Sequence, residues 1–129
     1  MNAEQLREIL TAHTQWLDGN GGERADLQGA NLRRADLQYA DLRGANLQRA
    51  DLDFSVWPLW CGSIGAIVDS RIQRQLLYHA YATDNPEQDA DIAELFQSGL
   101  FRRVIAKFHR FGECGGFRGK KIEEGGSSC

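Results

Sequence analysis

The sequence predicts an α+β fold in which a short square coil, built from a five-residue repeat, lies between helical regions. Alanine recurs every five residues from Ala25 to Ala50, and leucine does so from Leu27 to Leu52. Apolar residues at helical spacing precede and follow this stretch. The length of 129 residues allows one domain, or one small domain with an appendage, and excludes a large multidomain enzyme.

The repeat covers residues 25–54 and reads ADLQG, ANLRR, ADLQY, ADLRG, ANLQR and ADLDF. The residue between alanine and leucine is always Asp or Asn. A period of five suits neither regular element, because an α-helix rotates such residues by about 500° and a flat strand sends them to opposite faces. If the chain turns a corner in every cycle, all the leucines face a common axis and the Asp and Asn side chains face solvent.

These residues closely resemble the pentapeptide-repeat family. The resemblance implies a right-handed quadrilateral β-helix with four pentapeptides per coil, hence about one and a half coils here, with residues 20–24 as a degenerate lead-in. Asn46 would lie above Asp26 and Asp51 above Asn31, at the roughly 4.8 Å spacing of paired strands. So short a stack has two open ends, and we expect helices to cap them.

The segments predicted are an N-terminal capping helix (1–19), the repeat β-helix (20–60), a C-terminal helical region (61–114) and a flexible tail (115–129). The first helix is predicted from a set of residues that fall on one face at helical spacing: Leu6, Ile9, Leu10, His13, Trp16 and Leu17. Its AHTQWL stretch also resembles the leader of small pentapeptide-repeat proteins, often from phages or cyanobacteria. Aromatic residues around Pro58 predict a hydrophobic cover over the second coil end, formed by Phe54, Val56, Trp57, Leu59 and Trp60.

Two helices are predicted after the repeat. Ser70 with Gln73 resembles a capping box and predicts a helix of about 71–82. Asn85-Pro86 predicts the start of a second helix, with a break at Gly99 and an end at Gly112.

Nothing in the sequence predicts catalysis or a cofactor, since it contains no P-loop, Rossmann glycine run, HExxH or nucleophile elbow. Two Cys and two His (Cys61, His79, His109 and Cys114) are zinc-ligand types, but no two of them form a CxxC or HxxxH pair, so we assign no metal site. The odd cysteine count predicts a reducing compartment without structural disulfides. No signal peptide or membrane span is predicted, and we expect the cytoplasm of a bacterial host.

Charge is unevenly distributed along the chain. The net formal charge is −3, but residues 1–100 carry 15 acids and 8 bases (−7), and residues 101–129 carry 7 bases and 3 acids (+4). We take ten carboxylates as a candidate partner-binding surface: Asp26, Asp36, Asp41, Asp51 and Asp53 in the repeat, and Asp84, Glu87, Asp89, Asp91 and Glu94 after it. The alternative is that the later acids complement a helix dipole and the repeat acids are simply solvated.

The basic segment is Arg102, Arg103, Lys107, Arg110, Arg118, Lys120 and Lys121. It has the charge to contact nucleic-acid phosphates, but its Phe residues fall on the apolar stripe and do not interleave as a stacking surface would. We favour pairing with the acidic segment, or one pole of a dipolar protein, and expect no direct binding of nucleic acid.

Characterised members of the family include gyrase-protection proteins whose coil resembles DNA in size and charge. The resemblance therefore implies a non-enzymatic inhibitor whose acidic surface mimics DNA and blocks a bacterial DNA-binding enzyme or effector complex. Small size and the leader favour a phage or mobile-element anti-defence protein of the anti-CRISPR type. One alternative is a gyrase-directed mimic, although those relatives have far longer coils. The other is a structural module that forms homo-oligomers, such as a homodimer docking through Trp57–Trp60 or an open coil end.

Overall fold

The computed structural model of the protein describes residues 1–118. The chain divides into two compact units, Met1–Ile72 and the part from Gln73 onward. The α-helices are α1 (Ala3–Leu17), α2 (Ser70–Tyr81), α3 (Ala90–Gln97) and α4 (Gly99–Ala106), with 3-10 turns at Cys61–Ser63 and Gly116–Arg118. Over residues 1–118, none of the helices has both the length and the apolar character that a membrane crossing requires.

Each pentapeptide of the repeat makes one corner of a coil. The amide of the alanine that opens one pentapeptide donates to the carbonyl of the preceding leucine, as Ala30 does to Leu27 over 3.1 Å. The fifth residue of the pentapeptide is left-handed at five of the six corners: Gly29, Arg34, Gly44, Arg49 and Phe54 have φ of 62° to 75°. This is the geometry of a type II turn. The corners direct every leucine inward, so Leu27, Leu32, Leu37, Leu42 and Leu47 are at most 2% exposed.

Successive turns of this coil, which we call the repeat coil, stack with a register of 20 residues. Parallel bridges join Asp26 to Asn46, Asn31 to Asp51 and Asp36 to Val56. The first two are the pairs expected from the sequence, so the predicted register is confirmed.

The predicted fold class, an α+β chain with a quadrilateral β-helix, is wrong. Residues 1–118 contain helices and isolated bridges but no β-strand and no sheet. The cause is the length of the corners: the hydrogen-bonded turn from each leucine to the next alanine occupies most of each pentapeptide. About one residue per side is left to pair with the turn above, which is too few for a strand.

The repeat coil continues past residue 54, where the five-residue sequence repeat ends. The amides of Leu42 and Leu47 donate to the carbonyls of Gly62 and Ile67, each over 2.7 Å, and Ile67 also bridges to Asn46. The segment predicted to cover the coil end is therefore part of the winding. Trp57 packs against the leucine core as predicted, but Phe54, Val56, Leu59 and Trp60 are 43% to 94% exposed, so the five residues do not together form the predicted hydrophobic cover.

Helix α1 has the predicted position, and Leu6, Ile9 and Leu10 pack against the leucine core of the coil. An unpredicted capping box fixes its start, in which Asn2 Oδ1 accepts from the amide of Gln5 and the Gln5 side chain accepts from the amide of Asn2.

Imidazole nitrogens of His13 join α1 to the repeat coil. His13 is fully buried; its Nδ1 accepts from the Ala25 amide over 3.0 Å, and its Nε2 lies 2.9 Å from the Arg43 carbonyl. Because Nδ1 accepts, Nε2 carries the proton and donates. The His13 side chain therefore satisfies two backbone groups of the coil.

The helix predicted at about 71–82 is confirmed, but its cap is Asp69, not Ser70. The Asp69 carboxylate accepts from the amide of Ile72 over 3.0 Å and from that of Arg49 over 2.6 Å. Burial, the largest influence, raises the pKa of Asp69, but the backbone donors of Ile72, Arg49 and Arg71 outweigh it and hold the pKa below its ordinary value. One carboxylate thus joins the first turn of α2 to the coil.

The second unit has an aromatic core in which Tyr78, Phe101, Ile105 and Phe108 are buried. The Tyr78 hydroxyl donates to the Gly116 carbonyl over 2.6 Å and also lies 3.1 Å from the Cys114 carbonyl. Burial raises the pKa of Tyr78.

Two predicted helix limits in this unit are wrong. The helix expected at Asn85-Pro86 begins only at Ala90, because Asp89 supplies the N-cap, and the helix expected to end at Gly112 ends at Ala106. The break at Gly99 is confirmed. Of the predicted tail (115–129), Gly116–Arg118 form a 3-10 turn, and the residues from 119 onward lie outside the described residues.

Candidate functional site

The Asp or Asn of every pentapeptide closes a local turn. In all six, Oδ1 accepts from the backbone amide two residues further on, over 3.1 to 3.2 Å: Gln28 to Asp26, Arg33 to Asn31, Gln38 to Asp36, Arg43 to Asp41, Gln48 to Asn46 and Asp53 to Asp51. A carboxylate and a carboxamide offer the same acceptor, which explains why only Asp and Asn occur at this position. These carboxylates therefore have a structural role that the sequence analysis did not assign.

Arginines neutralise three of the five coil acids predicted to bind a partner. The Arg43 guanidinium donates two hydrogen bonds, of 2.9 and 2.6 Å, to the Asp41 carboxylate. The Arg43 side chain also keeps the pKa of Asp41 below its ordinary value. Arg33 lies 3.1 Å from Asp51 and 3.5 Å from Asp53.

Asp53 is only 5% exposed, so its predicted outward position is wrong. Asp26 and Asp36 remain exposed, and they bond to the side-chain amides of Asn46 and Gln38, over 3.4 and 3.1 Å. The coil therefore presents much less uncompensated negative charge than its sequence suggests.

The acids of the second unit differ from the coil acids in having no arginine partner within residues 1–118. All five are exposed, and none forms an ion pair with another residue in the 1–118 range: Asp84, Glu87, Asp89, Asp91 and Glu94. Asp89 caps α3 by accepting from the Ile92 amide over 3.0 Å, and Asp91 lies in the first turn. The helix-dipole interpretation therefore accounts for these two acids. We call the five residues the acidic segment.

The basic segment is partly engaged within its own unit. The Arg102 guanidinium stacks over the Phe117 ring at 3.9 Å, and Arg110 pairs with Glu113 at 2.7 Å. Arg103 and Lys107 are exposed. Lys120 and Lys121 lie outside the described residues.

The zinc alternative receives no support within residues 1–118, where no group of three or more His, Cys, Asp or Glu side chains is placed to hold a metal ion. Cys61 is a free, exposed thiol in the first unit. Cys114 is buried and disulfide-bonded, so it is not available as a thiolate ligand, and the expectation of no structural disulfide is wrong at this residue.

A groove of about 780 Å³ runs between α1 and the first turn of the repeat coil. Its floor includes Leu6 and Leu10, and its rim includes Arg7, Arg34 and Tyr39, the last 86% exposed. Sequence reasoning missed this groove because it depends on where α1 lies on the coil, and periodicity fixes only which face of the helix is buried.

Residues 23–55 match the family model described as pentapeptide repeats (8 copies). Neither the curated proteins nor the solved structures include one that matches this chain. Pentapeptide repeats are consistent with a protein-interaction module. Residues 23–55 of the chain are thus a stretch of pentapeptide repeats.

Proposed function

We propose that this chain is a non-enzymatic inhibitor that binds a protein through an acidic surface. The observation that supports it is the acidic segment: five exposed carboxylates in the stretch 84–94, with no base from residue 84 to residue 101. The second unit carries the charge that a cationic partner would meet.

The partner proposed is a bacterial DNA-binding enzyme or effector complex, which uses Lys and Arg to hold phosphates. Carboxylates placed at those positions give fast, salt-sensitive association. We further propose that the chain acts in the cytoplasm of a bacterial host as a phage or mobile-element anti-defence protein of the anti-CRISPR type. A gyrase-directed mimic is less favoured, because the repeat match covers only 33 residues (23–55).

A second candidate is a structural module that forms homo-oligomers. Exposed apolar side chains of the first unit favour it, above all Leu59 at 94% and Ile64 at 67%. An inhibitor would be recovered with a foreign protein, whereas an assembly module would be recovered only with itself.

The first test is a pulldown from bacterial lysate at low and high salt, with bound proteins identified by mass spectrometry. The test variant neutralises the acidic segment by Asp84→Asn, Glu87→Gln, Asp89→Asn, Asp91→Asn and Glu94→Gln. Asn at position 89 keeps the α3 cap, because it retains Oδ1. The matched control is Asp26→Asn with Asp36→Asn, which removes two coil charges and preserves both local turns.

We expect the segment variant to lose a salt-sensitive partner that the wild type and the coil control both retain. Equal loss from both variants contradicts a surface confined to the second unit. Retention by both variants contradicts electrostatic binding altogether.

A further inference from the structure

The first turn of the repeat coil has a backbone edge that stays unpaired within residues 1–118. In its bridge with Asn31, Asp51 on the second turn uses both of its backbone groups: its amide donates to the Ala30 carbonyl and its carbonyl accepts from the Leu32 amide, each over 2.9 Å. Asn31 therefore directs its own amide and carbonyl to the other side, away from the second turn. Asp36 has the same arrangement in its bridge to the second turn. Neither the amide nor the carbonyl of Asn31 or Asp36 forms a hydrogen bond with another residue in the described range.

This open edge borders the groove of about 780 Å³ between α1 and the coil, which Asn31 and Asp36 both line. The floor of the groove consists of four partly buried apolar residues: Leu6, Leu10, Ala35 and Ala40. An unpaired strand edge beside an apolar floor is the arrangement in which proteins accept an added strand.

Charge at the groove favours an acidic ligand. Arg7 and Arg33 line the groove and already pair with carboxylates of the first unit. Arg34 also lines it and is exposed, and its guanidinium lies 5.4 Å from the centre of the Phe54 ring without a carboxylate partner within residues 1–118. The two carboxylates that line the groove accept hydrogen bonds from neighbouring side chains: Asp36 from Gln38 and Asp41 from Arg43. Arg34 is therefore available to a carboxylate of the ligand.

The bridges of the coil itself indicate which side chains suit the position opposite this edge. Two of them join an Asp to an Asn, namely Asp26 to Asn46 and Asn31 to Asp51. In the first, the Asn46 side-chain amide lies 3.4 Å from Asp26 Oδ1. Two carboxylates directly opposite each other would repel. A strand added to the open edge therefore suits Asp opposite Asn31 and Asn opposite Asp36.

We propose that this groove binds an extended peptide of a partner protein, which adds to the open edge as a short strand. The peptide backbone pairs with Asn31 and, past the corner at Arg34, with Asp36. Alternate side chains of the peptide are apolar and contact the floor, and the side chain opposite Asn31 is a carboxylate that meets Arg34. The contact lies wholly in the first unit, so it stands or falls separately from the acidic segment of the second unit.

The probe is the acetylated and amidated peptide Val-Asp-Val-Ser-Gly-Val-Asn-Val. Its Asp and Asn have the same separation as Asn31 and Asp36, and its Gly permits the left-handed corner that Arg34 forms in the coil. One control peptide has Lys in place of Asp. A second is N-methylated at the two Val residues that follow Asp and Asn, because those amides would donate to the Asn31 and Asp36 carbonyls.

The test is an NMR titration of the full ¹⁵N-labelled chain, in which the chemical shifts and exchange rates of the backbone amides are measured. We expect the probe at saturation to slow exchange of the Asn31 and Asp36 amides by about tenfold or more, and to leave the already paired Asp51 amide unchanged. Arg34→Gln should raise the dissociation constant of the probe about threefold. Arg49→Gln is the matched control, because Arg49 is an exposed, left-handed corner residue that does not line the groove, and we expect no change.

Thr11→Trp should also weaken binding, because Thr11 lines the groove, whereas Glu8→Trp alters an exposed position of α1 outside it. Far-UV circular dichroism checks that each variant folds. The proposal is overturned if the probe at millimolar concentration leaves the Asn31 and Asp36 amides unchanged, or if the N-methylated or the Lys peptide binds as tightly as the probe. Protection of both amides before any peptide is added also overturns it, since the edge is then already paired.

Discussion

His13→Leu tests whether one buried side chain holds α1 on the repeat coil. The substitution places leucine, a residue of high helix propensity, on the buried face of α1 and removes both hydrogen bonds of the imidazole. The Ala25 amide, in a residue 3% exposed, then has no acceptor, and the Arg43 carbonyl loses its donor. Helix α1 therefore loses its hydrogen bonds to Ala25 and Arg43 but retains its apolar contacts with the coil.

The expected cost follows from the two groups left without partners. A buried, unsatisfied amide costs about 1–3 kcal/mol, and a partly buried carbonyl that loses a hydrogen bond adds about 1 kcal/mol. We therefore expect the free energy of unfolding to fall by about 2–4 kcal/mol. The stacking of Trp16 on the imidazole, at 5.5 Å between ring centroids, is lost as well.

The assay is urea unfolding followed by circular dichroism and tryptophan fluorescence. Gln15→Leu is the matched control, since it introduces the same residue at an exposed position of α1, and we expect it to change stability by less than about 0.5 kcal/mol. A loss below about 1 kcal/mol for His13→Leu, or equal losses for the two variants, would refute the reasoning.

Three further predictions concern the repeat coil and its attached carboxylates. Asp36→Asn should change the free energy of unfolding by less than about 0.5 kcal/mol, whereas Asp36→Ala should cost about 1 kcal/mol because the Gln38 amide loses its acceptor; urea unfolding of both variants checks this. Leu37→Ala should cost about 2–5 kcal/mol, and Leu37→Asp should prevent folding of the first unit, because Leu37 is fully buried; thermal unfolding and one-dimensional NMR check it. Stability should be constant above the ordinary aspartate pKa of about 4 and fall as the pH drops through the lowered pKa values of Asp41 and Asp69, and Asp69→Asn should reduce that acid loss in a pH series of urea titrations.

Sequence reasoning predicted the parts of the fold that periodicity determines. Leucine at every fifth position required corners, and the resemblance to the pentapeptide-repeat family, with four pentapeptides per coil, implied the 20-residue register that joins Asp26 to Asn46. The face of α1 that carries Leu6 and Leu10 followed from helical spacing in the same way. In these cases a repeated residue type reports directly on a repeated environment.

The remaining features of the fold depend on contacts between residues that the five-residue period and the helical spacing do not reveal. The winding from Val56 to Ile67 lacks the repeated letters and is held by backbone hydrogen bonds, which any residue except proline can donate. Asp69 and Ser70 are both common N-cap residues, and the contact with the Arg49 amide decides between them. The paired state of Asp51 and Asp53 depends on Arg33, which is distant from both in the sequence but lies on the adjacent turn of the coil.

The turn-closing oxygen of each pentapeptide separates the surface charge of the coil from its folding. Six positions accept either Asp or Asn, and this chain has Asp at four of them and Asn at two, Asn31 and Asn46. Single exchanges at these positions shift the coil by one charge at a time and keep every Oδ1 acceptor in place. A lineage or a designer can therefore adapt the electrostatics of this surface to a new binding partner without repacking the leucine core.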